Sequence, residues 1–299
     1  MTIPFYKIHI AGNGFILIDL TALEAANKGK PALESTSWPL LSRLICDKRY
    51  GVGGSGTMFL AADNTIRIFT PKGKSSPADE DALLCAARFA FDSGRVVGGK
   101  IRFNGITGPR DLSVLGAHQF AIDLGSPFSL LDGRVLLPQS EHLVESIEFS
   151  GTSLSCSAIH IRENVVTAFP RALGTLDFAG FSALVREAFP GKSPVSCVAQ
   201  AITEDTIMAR CSGGGEASIC AAAAASLATA HCAGQCGTEA VVMFETRGNS
   251  GDPDRELELD RDNSRRVAVS WDTTENEIRA IGSGGYLFEG SFYAPDSVS

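Results

Sequence analysis

Two strands, TIRIF at 65–69 and TIMARC at 206–211, each lead through a Gly- or Ser-containing loop into an apolar helix. The first helix is read over 77–93 and ends at Ser93-Gly94, as a glycine-capped helix should. The second is the alanine run ASICAAAAASLATAHCAG at 217–234. A strand–loop–helix unit met twice implies two similar halves. It also points both helix N-termini, each with its partial positive charge, at a ligand placed between the halves.

The remaining segments fit the same plan. FYKIHI, GFILIDL, TMFLAA and KIRFNG read as strands in the first hundred residues, separated by Gly, Asn and Asp turns. WPLLSRLICDKR reads as a second helix there, apolar at Leu40, Leu41, Leu44 and Ile45. In the second half HQFAIDL, SLSCSAIHI, NVVTAF and SCVAQAI are further strands, and the polar segment 245–266 is a hairpin loop or excursion with no assigned function.

Composition narrows the partners. A net charge of −8 and no long run of like charge argue against nucleic acid or an anionic membrane surface. A small ligand or a protein partner is expected. MTIPFYKIHIAGNGF lacks the basic and unbroken apolar regions of a secretory signal, so a cytoplasmic location is expected. The eight cysteines show no paired CxxC spacing and are expected as reduced thiols, with no metal site at Cys232 and Cys236.

The stretch SSPADEDALLCAARFAF at 75–91 has a plain structural reading. Ser76 is the expected N-cap, Pro77 the first helical residue and Asp79 the acidic residue three after the cap, with Glu80 and Asp81 favoured by the helix dipole. His9 and His160, lone histidines on strands, read as satisfied core residues rather than catalytic bases.

The order and wording of these segments resemble the diaminopimelate epimerase family over nearly the whole chain. FYKIHIAGNGFILID is similar to the family's opening strand and GNDF turn, keeping Asn13 with Gly14 in place of the Asp. RYGVGGSG at 49–56 is similar to its RxGIGADG turn, TIRIFTPKG to its RIFNADGS strand, and GSGGYLFEGSF at 282–292 to its closing strand. The resemblance implies an α/β (α+β) fold of two similar domains, each a mixed sheet wrapped around a central helix, with a cleft between them. The expected domains are 1–128 plus 282–299, and 129–281. It also implies pyridoxal-independent isomerase chemistry of the lysine-biosynthesis type with no cofactor and no metal, a small carboxylate or amino acid as ligand, and a homodimer.

Two motifs of that family differ here. Counting without gaps puts Asp79-Glu80-Asp81-Ala82 where the family has CGNG, so Asp79 stands at the first catalytic cysteine. Ala217-Ser218-Ile219-Cys220 stands where the family reads ACGT, so Ser218 is at the second. Cys85 lies about 9 Å along its helix from Asp79, and Cys220 points about 200° away from Ser218, so both read as core residues. The family's NPH turn aligns with Arg162-Glu163-Asn164, its substrate asparagine with Pro194, and of its Glu-Arg pair only Arg210 remains, after Ala209. Asn13, Arg162 and Arg210 are the expected substrate contacts, with Gly213 and Gly214 of SGGGEAS cradling an anion through backbone N–H groups.

A serine hydroxyl is too weak a base unless another group activates it, whereas a carboxylate can move a proton alone. Three readings follow: a one-base isomerase using Asp79 with Ser218 in the site, a non-catalytic descendant that binds a ligand or partner, and a two-cysteine epimerase whose cysteines lie elsewhere.

Overall fold

The computed structural model describes residues 1–28, 35–77, 79–140, 145–170, 173–212, 218–245 and 265–295. The chain begins with β1 (Thr2–Ile10), β2 (Asn13–Asp19), α1 (Leu20–Ala26), α2 (Trp38–Ile45), β3 (Gly56–Leu60) and β4 (Ile66–Phe69). It continues with β5 (Ser75–Ser76), α3 (Glu80–Asp92), β6 (Lys100–Gly105), β7 (Gly108–Gly116), β8 (Gln119–Gly125) and β9 (Phe128–Ser129). Then follow β10 (Glu145–Phe149), β11 (Thr152–Ile161), β12 (Glu163–Phe169), α4 (Phe178–Ala188), β13 (Val195–Thr203) and β14 (Thr206–Cys211). The last elements are α5 (Ile219–Cys232), β15 (Glu239–Phe244), β16 (Arg266–Asp272), β17 (Glu277–Gly282) and β18 (Gly285–Tyr293). They form two compact units, Met1–Ala121 with Ser283–Ser299, and Ile122–Gly282.

In the first unit six strands run in the order β18-β1-β2-β3-β4-β5. β2 and β3 are parallel, a pairing that needs a crossover, and the connection holds α1 and α2. Leu41 and Ile45 of α2 enter a core with Ile16, Ile18 and Phe59, where Trp38 stacks on Phe59 at 4.5 Å between ring centroids. α3 packs on β1, β2, β3 and β6, and its residues from Ala82 to Ala87 are all fully buried. A stretch this apolar all round has no face for solvent and belongs at the centre of a core.

The second unit carries strands in the order β10-β11-β12-β13-β14-β15-β16-β17. Its parallel neighbours are β12 with β13, joined through α4, and β14 with β15, joined through α5. α5 touches every strand from β11 to β17 and is buried from Cys220 to Ala230. Its two core hydroxyls are satisfied within the helix, Ser226 donating to the Ala222 carbonyl and Thr229 to that of Ala225. Each unit is therefore a mixed sheet around a central helix. Among the described residues no helix is long and apolar enough to cross a membrane.

Three local expectations change. α3 starts at Glu80, capped by Asp79 rather than Ser76. Ser75 and Ser76 pair with Phe69 and Ile68 as a short strand, which keeps their backbone extended, and the first free helical N–H groups fall within reach of Asp79 instead. The run GFILIDL ends as a strand at Asp19, whose carboxylate accepts the Thr21 N–H at 3.2 Å and opens α1. FAGFSALVREA forms α4, capped by Asp177 on the N–H of Gly180, in a stretch with no expected element. Of the polar segment 245–266, residues 246–264 lie outside the described residues.

Candidate active site

In the first unit the acidic run at the start of α3 is built into the fold. Asp79 has an extended backbone (φ −80°, ψ 130°), and its Oδ1 accepts the N–H of Asp81 at 2.8 Å and of Ala82 at 3.4 Å. It is half-buried. Glu80 is buried and forms an ion pair with Arg110 of β7 at 3.1 Å. Asp81 is fully buried, and its Oδ2 accepts a hydrogen bond from Asn13 Nδ2 at 2.8 Å. Asn13, expected as a substrate contact, thus has its amide on a carboxylate of the helix start. Carboxylates at a helix N-terminus are favoured by the dipole, and here each has a named partner.

Beneath this turn lies a feature that sequence reasoning missed. Lys7 is buried on β1, and its Nζ donates to the carbonyls of Gly14 and Gly53. Burial lowers its pKa, against the nearby Cys46 and Cys85 sulfurs, which raise it. A lysine in an alternating strand reads as solvent-facing, but the glycines of the AGNGF and RYGVGGSG turns leave room for its stem. A Cβ on Gly14 would stand 3.1 Å from Lys7 Cε.

Cys85 lies fully buried on α3. Its thiol is pushed well above its ordinary pKa, first by burial and then by the charges of Asp81 and Asp79. A thiol held protonated in this way is a poor base and a poor nucleophile.

In the second unit Ser218 is the N-cap of α5 (φ −71°, ψ 121°) and is buried. Its hydroxyl accepts the Ala221 N–H at 3.2 Å, and its own N–H donates to Glu163 Oε2 at 3.1 Å. Glu163 is the first residue of β12, just after the one-residue turn from β11 in which Arg162 takes the left-handed conformation (φ 60°). Arg162 is exposed, and its Nη2 donates to the Asp123 carbonyl at 3.2 Å. Asn164 meets His160 Nδ1 through its Oδ1 at 2.8 Å and donates to the Lys192 carbonyl at 3.1 Å, so His160 is engaged there rather than at Ser218. His9, in the first unit, accepts the Gly12 N–H at 3.3 Å.

Arg210 is half-buried on β14 with its guanidinium over the Phe178 ring, 4.9 Å from the centroid. Ala209 beside it and Pro194 before β13 are buried, and Cys220 is fully buried in α5. Gly213 and Gly214 lie outside the described residues. Glu163 is the second residue that sequence reasoning missed as a group acting on a helix start. The structure thus brings Glu163 to Ser218 and Asn13 to Asp81 within their own units. Among the described residues no group of three or more His, Cys, Asp or Glu side chains could hold a metal ion.

No family model matches the chain. Over 230 residues it is 27% identical to a diaminopimelate epimerase of Pelotomaculum thermopropionicum, an alignment covering 72% of this chain and 79% of that protein. The phenazine biosynthesis protein of the PhzF family from Bacillus anthracis has the same fold, with a TM-score of 0.64 at 13% identity, over 98% of this chain and all of that one. A hydroxyproline epimerase from Agrobacterium vitis, solved with trans-4-hydroxy-L-proline bound, is similar with a TM-score of 0.53 at 10% identity, over 97% of this chain and 91% of that one.

Proposed function

Since the chain belongs to the diaminopimelate epimerase family, we propose that it is a pyridoxal-independent isomerase that moves a proton on a small carboxylate or amino acid, with Asp79 as its base. The observation that carries this reading is the state of the Asp79 carboxylate. It is half-buried and fixed at the first turn of α3 by two backbone N–H groups, at the position aligned with the family's first cysteine. At the position aligned with the family's second cysteine, the Ser218 hydroxyl is buried and accepts a helix N–H. Cys85 and Cys220 are both fully buried. These features support a site without the two-cysteine reaction.

With one carboxylate as base, the chemistry is a proton shift on a single face. Asp79 takes a proton from a carbon already acidified by a neighbouring carbonyl or carboxylate, and the resulting carboxylic acid returns it to the same carbon or to the next position of the conjugated anion. Exchange, tautomerisation and 1,3-proton shifts are within its reach, whereas racemisation asks for a second acid on the opposite face. Arg210 and Arg162 are the groups proposed to hold the substrate's carboxylate, with the backbone of Gly213 and Gly214 and the amide of Asn13 completing the contacts. The hydroxyproline bound to the Agrobacterium vitis enzyme supports an amino acid as substrate class. A cytoplasmic homodimer is part of the same proposal.

The test is solvent deuterium incorporation into diaminopimelate, proline derivatives and a panel of small amino and unsaturated acids by the purified protein. Time-dependent incorporation into one of them supports the isomerase, and none into any of them counts against it. A second reading, a non-catalytic descendant with a ligand or partner, is favoured by one observation. Asp79 Oδ1 already serves as an ordinary helix cap, a role that needs no chemistry.

A further inference from the structure

Cys197 and Cys211 stand directly opposite one another on the antiparallel strands β13 and β14. One pair along, the Ser212 N–H donates to the Ser196 carbonyl at 2.8 Å, and the Ser196 N–H donates to Ser212 Oγ at 3.0 Å. Hydrogen-bonded and non-hydrogen-bonded pairs alternate along an antiparallel ladder, so the cysteines occupy a non-hydrogen-bonded pair, in which Cα atoms approach to about 4.5 Å. That spacing is within the roughly 4.4–6.8 Å that a disulfide spans.

The side chains use it. Cys211 Sγ donates to Cys197 Sγ at 3.2 Å, and Cys197 Sγ lies 3.5 Å from Ser226 Oγ of α5. Cys197 is fully buried while Cys211 is partly exposed, so one sulfur of the pair is open to a small reagent and the other is held behind it. The hydrogen bond from Cys211 keeps the Cys197 thiol below its ordinary pKa, outweighing the burial that would raise it. The Ser226 hydroxyl of α5 is a second polar neighbour of Cys197.

We propose that Cys197 and Cys211 are a peroxide-sensitive dithiol that closes to a cross-strand disulfide. The proton between the two sulfurs passes along their hydrogen bond to Cys197, the Cys211 thiolate attacks one oxygen of hydrogen peroxide, the O–O bond breaks, and Cys211 becomes a sulfenic acid as hydroxide leaves. The Cys197 thiolate then attacks the Cys211 sulfur, the S–S bond forms and the sulfenic S–O bond breaks, releasing a second hydroxide. Each hydroxide takes up one of the two thiol protons. With hydrogen peroxide the sum is two thiols and one peroxide going to one disulfide and two waters, the sulfurs oxidised and the peroxide oxygens reduced. The bridge would tie the end of β14, which carries Arg210 and leads towards Ser218, to β13.

Hydrogen peroxide added stepwise to the fully reduced, full-length native protein tests this. The expected result is loss of two of the eight thiols, a mass lower by two hydrogens, and one cross-linked peptide pair containing residues 197 and 211. Dithiothreitol should restore all of it, and Cys211→Ser should show neither the mass change nor the cross-link. Peptide mapping on the wild-type chain decides the matter even where a variant fails to fold. The proposal is overturned if all thiols persist until the protein unfolds, if the first bridge joins other cysteines, or if Cys211 advances to sulfinic acid with no bridge to Cys197.

Discussion

Glu163 Oε2 accepts the backbone N–H of Ser218 at 3.1 Å, so the first residue of β12 satisfies the N-terminus of a helix whose N-cap lies 55 positions later. The helix is the core of its unit, and an unpaired N–H at its buried start costs about 1–3 kcal/mol. Glu163→Ala should lose about that much in urea denaturation. Glu163→Gln keeps an acceptor and gives up only the charge–dipole attraction, about 0.3–1 kcal/mol. No loss for Glu163→Ala would show that the contact contributes nothing.

Gly284 lies against the middle of α3. A Cβ there would stand 2.9 Å from Cys85 Cα, 3.0 Å from Ile8 Cγ2 and 3.3 Å from Arg88 Cβ. Two of these neighbours are backbone or branched side chain in a packed core and have little room to move. Gly284→Ala is expected to destabilise the protein by about 1–3 kcal/mol through overpacking, read as a lower denaturation midpoint at unchanged slope. A neutral or stabilising effect would mean that β18 does not seat as closely on α3.

Lys7 gives the pH dependence of stability a defined sign. Burial lowers its folded pKa from the ordinary 10.5, so between the two values the unfolded chain holds more protons than the folded one, and stability rises with pH there. Below the folded value Lys7 is charged in both states and its contribution is flat. The stability difference between wild type and Lys7→Met should therefore grow in favour of wild type as pH climbs from neutral towards the ordinary lysine value. A difference that stays constant over that range would contradict a buried, perturbed ammonium.

How much of this was legible in the sequence depends on range. α2 follows from Leu40, Leu41, Leu44 and Ile45 at helical spacing, and α5 from an alanine run with no polar face. Ser76 failed as a cap because the β4–β5 pairing that holds it extended is set by tertiary contact, not by the [ST]-x-x-[DE] pattern. α1 was hidden because Leu20 continues the apolar run of β2 while Asp19 silently switches from strand end to cap. In the candidate site, Asp79 and Ser218 could be placed by counting from neighbouring motifs. The long-range contacts at the two helix starts could not, because Asn13 reaches Asp81 across 68 positions and Glu163 reaches Ser218 across 55.

Cys85 and Cys220 are fully buried, and the Cys85 thiol is pushed up by burial and by Asp81 and Asp79. In the native state at neutral pH both should resist a maleimide or iodoacetamide, since the thiolate is the reacting form. They should label only when the protein unfolds. Modification of either at the rate of a free thiol would return it to consideration as a catalytic group.

The most direct test of the one-base reading is the rate of solvent deuterium exchange into the best substrate by wild type, Asp79→Asn, Cys85→Ala and Cys220→Ala. Asn preserves a capping oxygen, so Asp79→Asn should fold with near-wild-type stability. A positioned general base contributes about 10²–10⁴-fold, so that variant should lose exchange by such a factor while the two cysteine variants, once shown to be folded, retain it. Exchange that survives Asp79→Asn and disappears in a folded cysteine variant would contradict Asp79 as the base and restore the thiol mechanism.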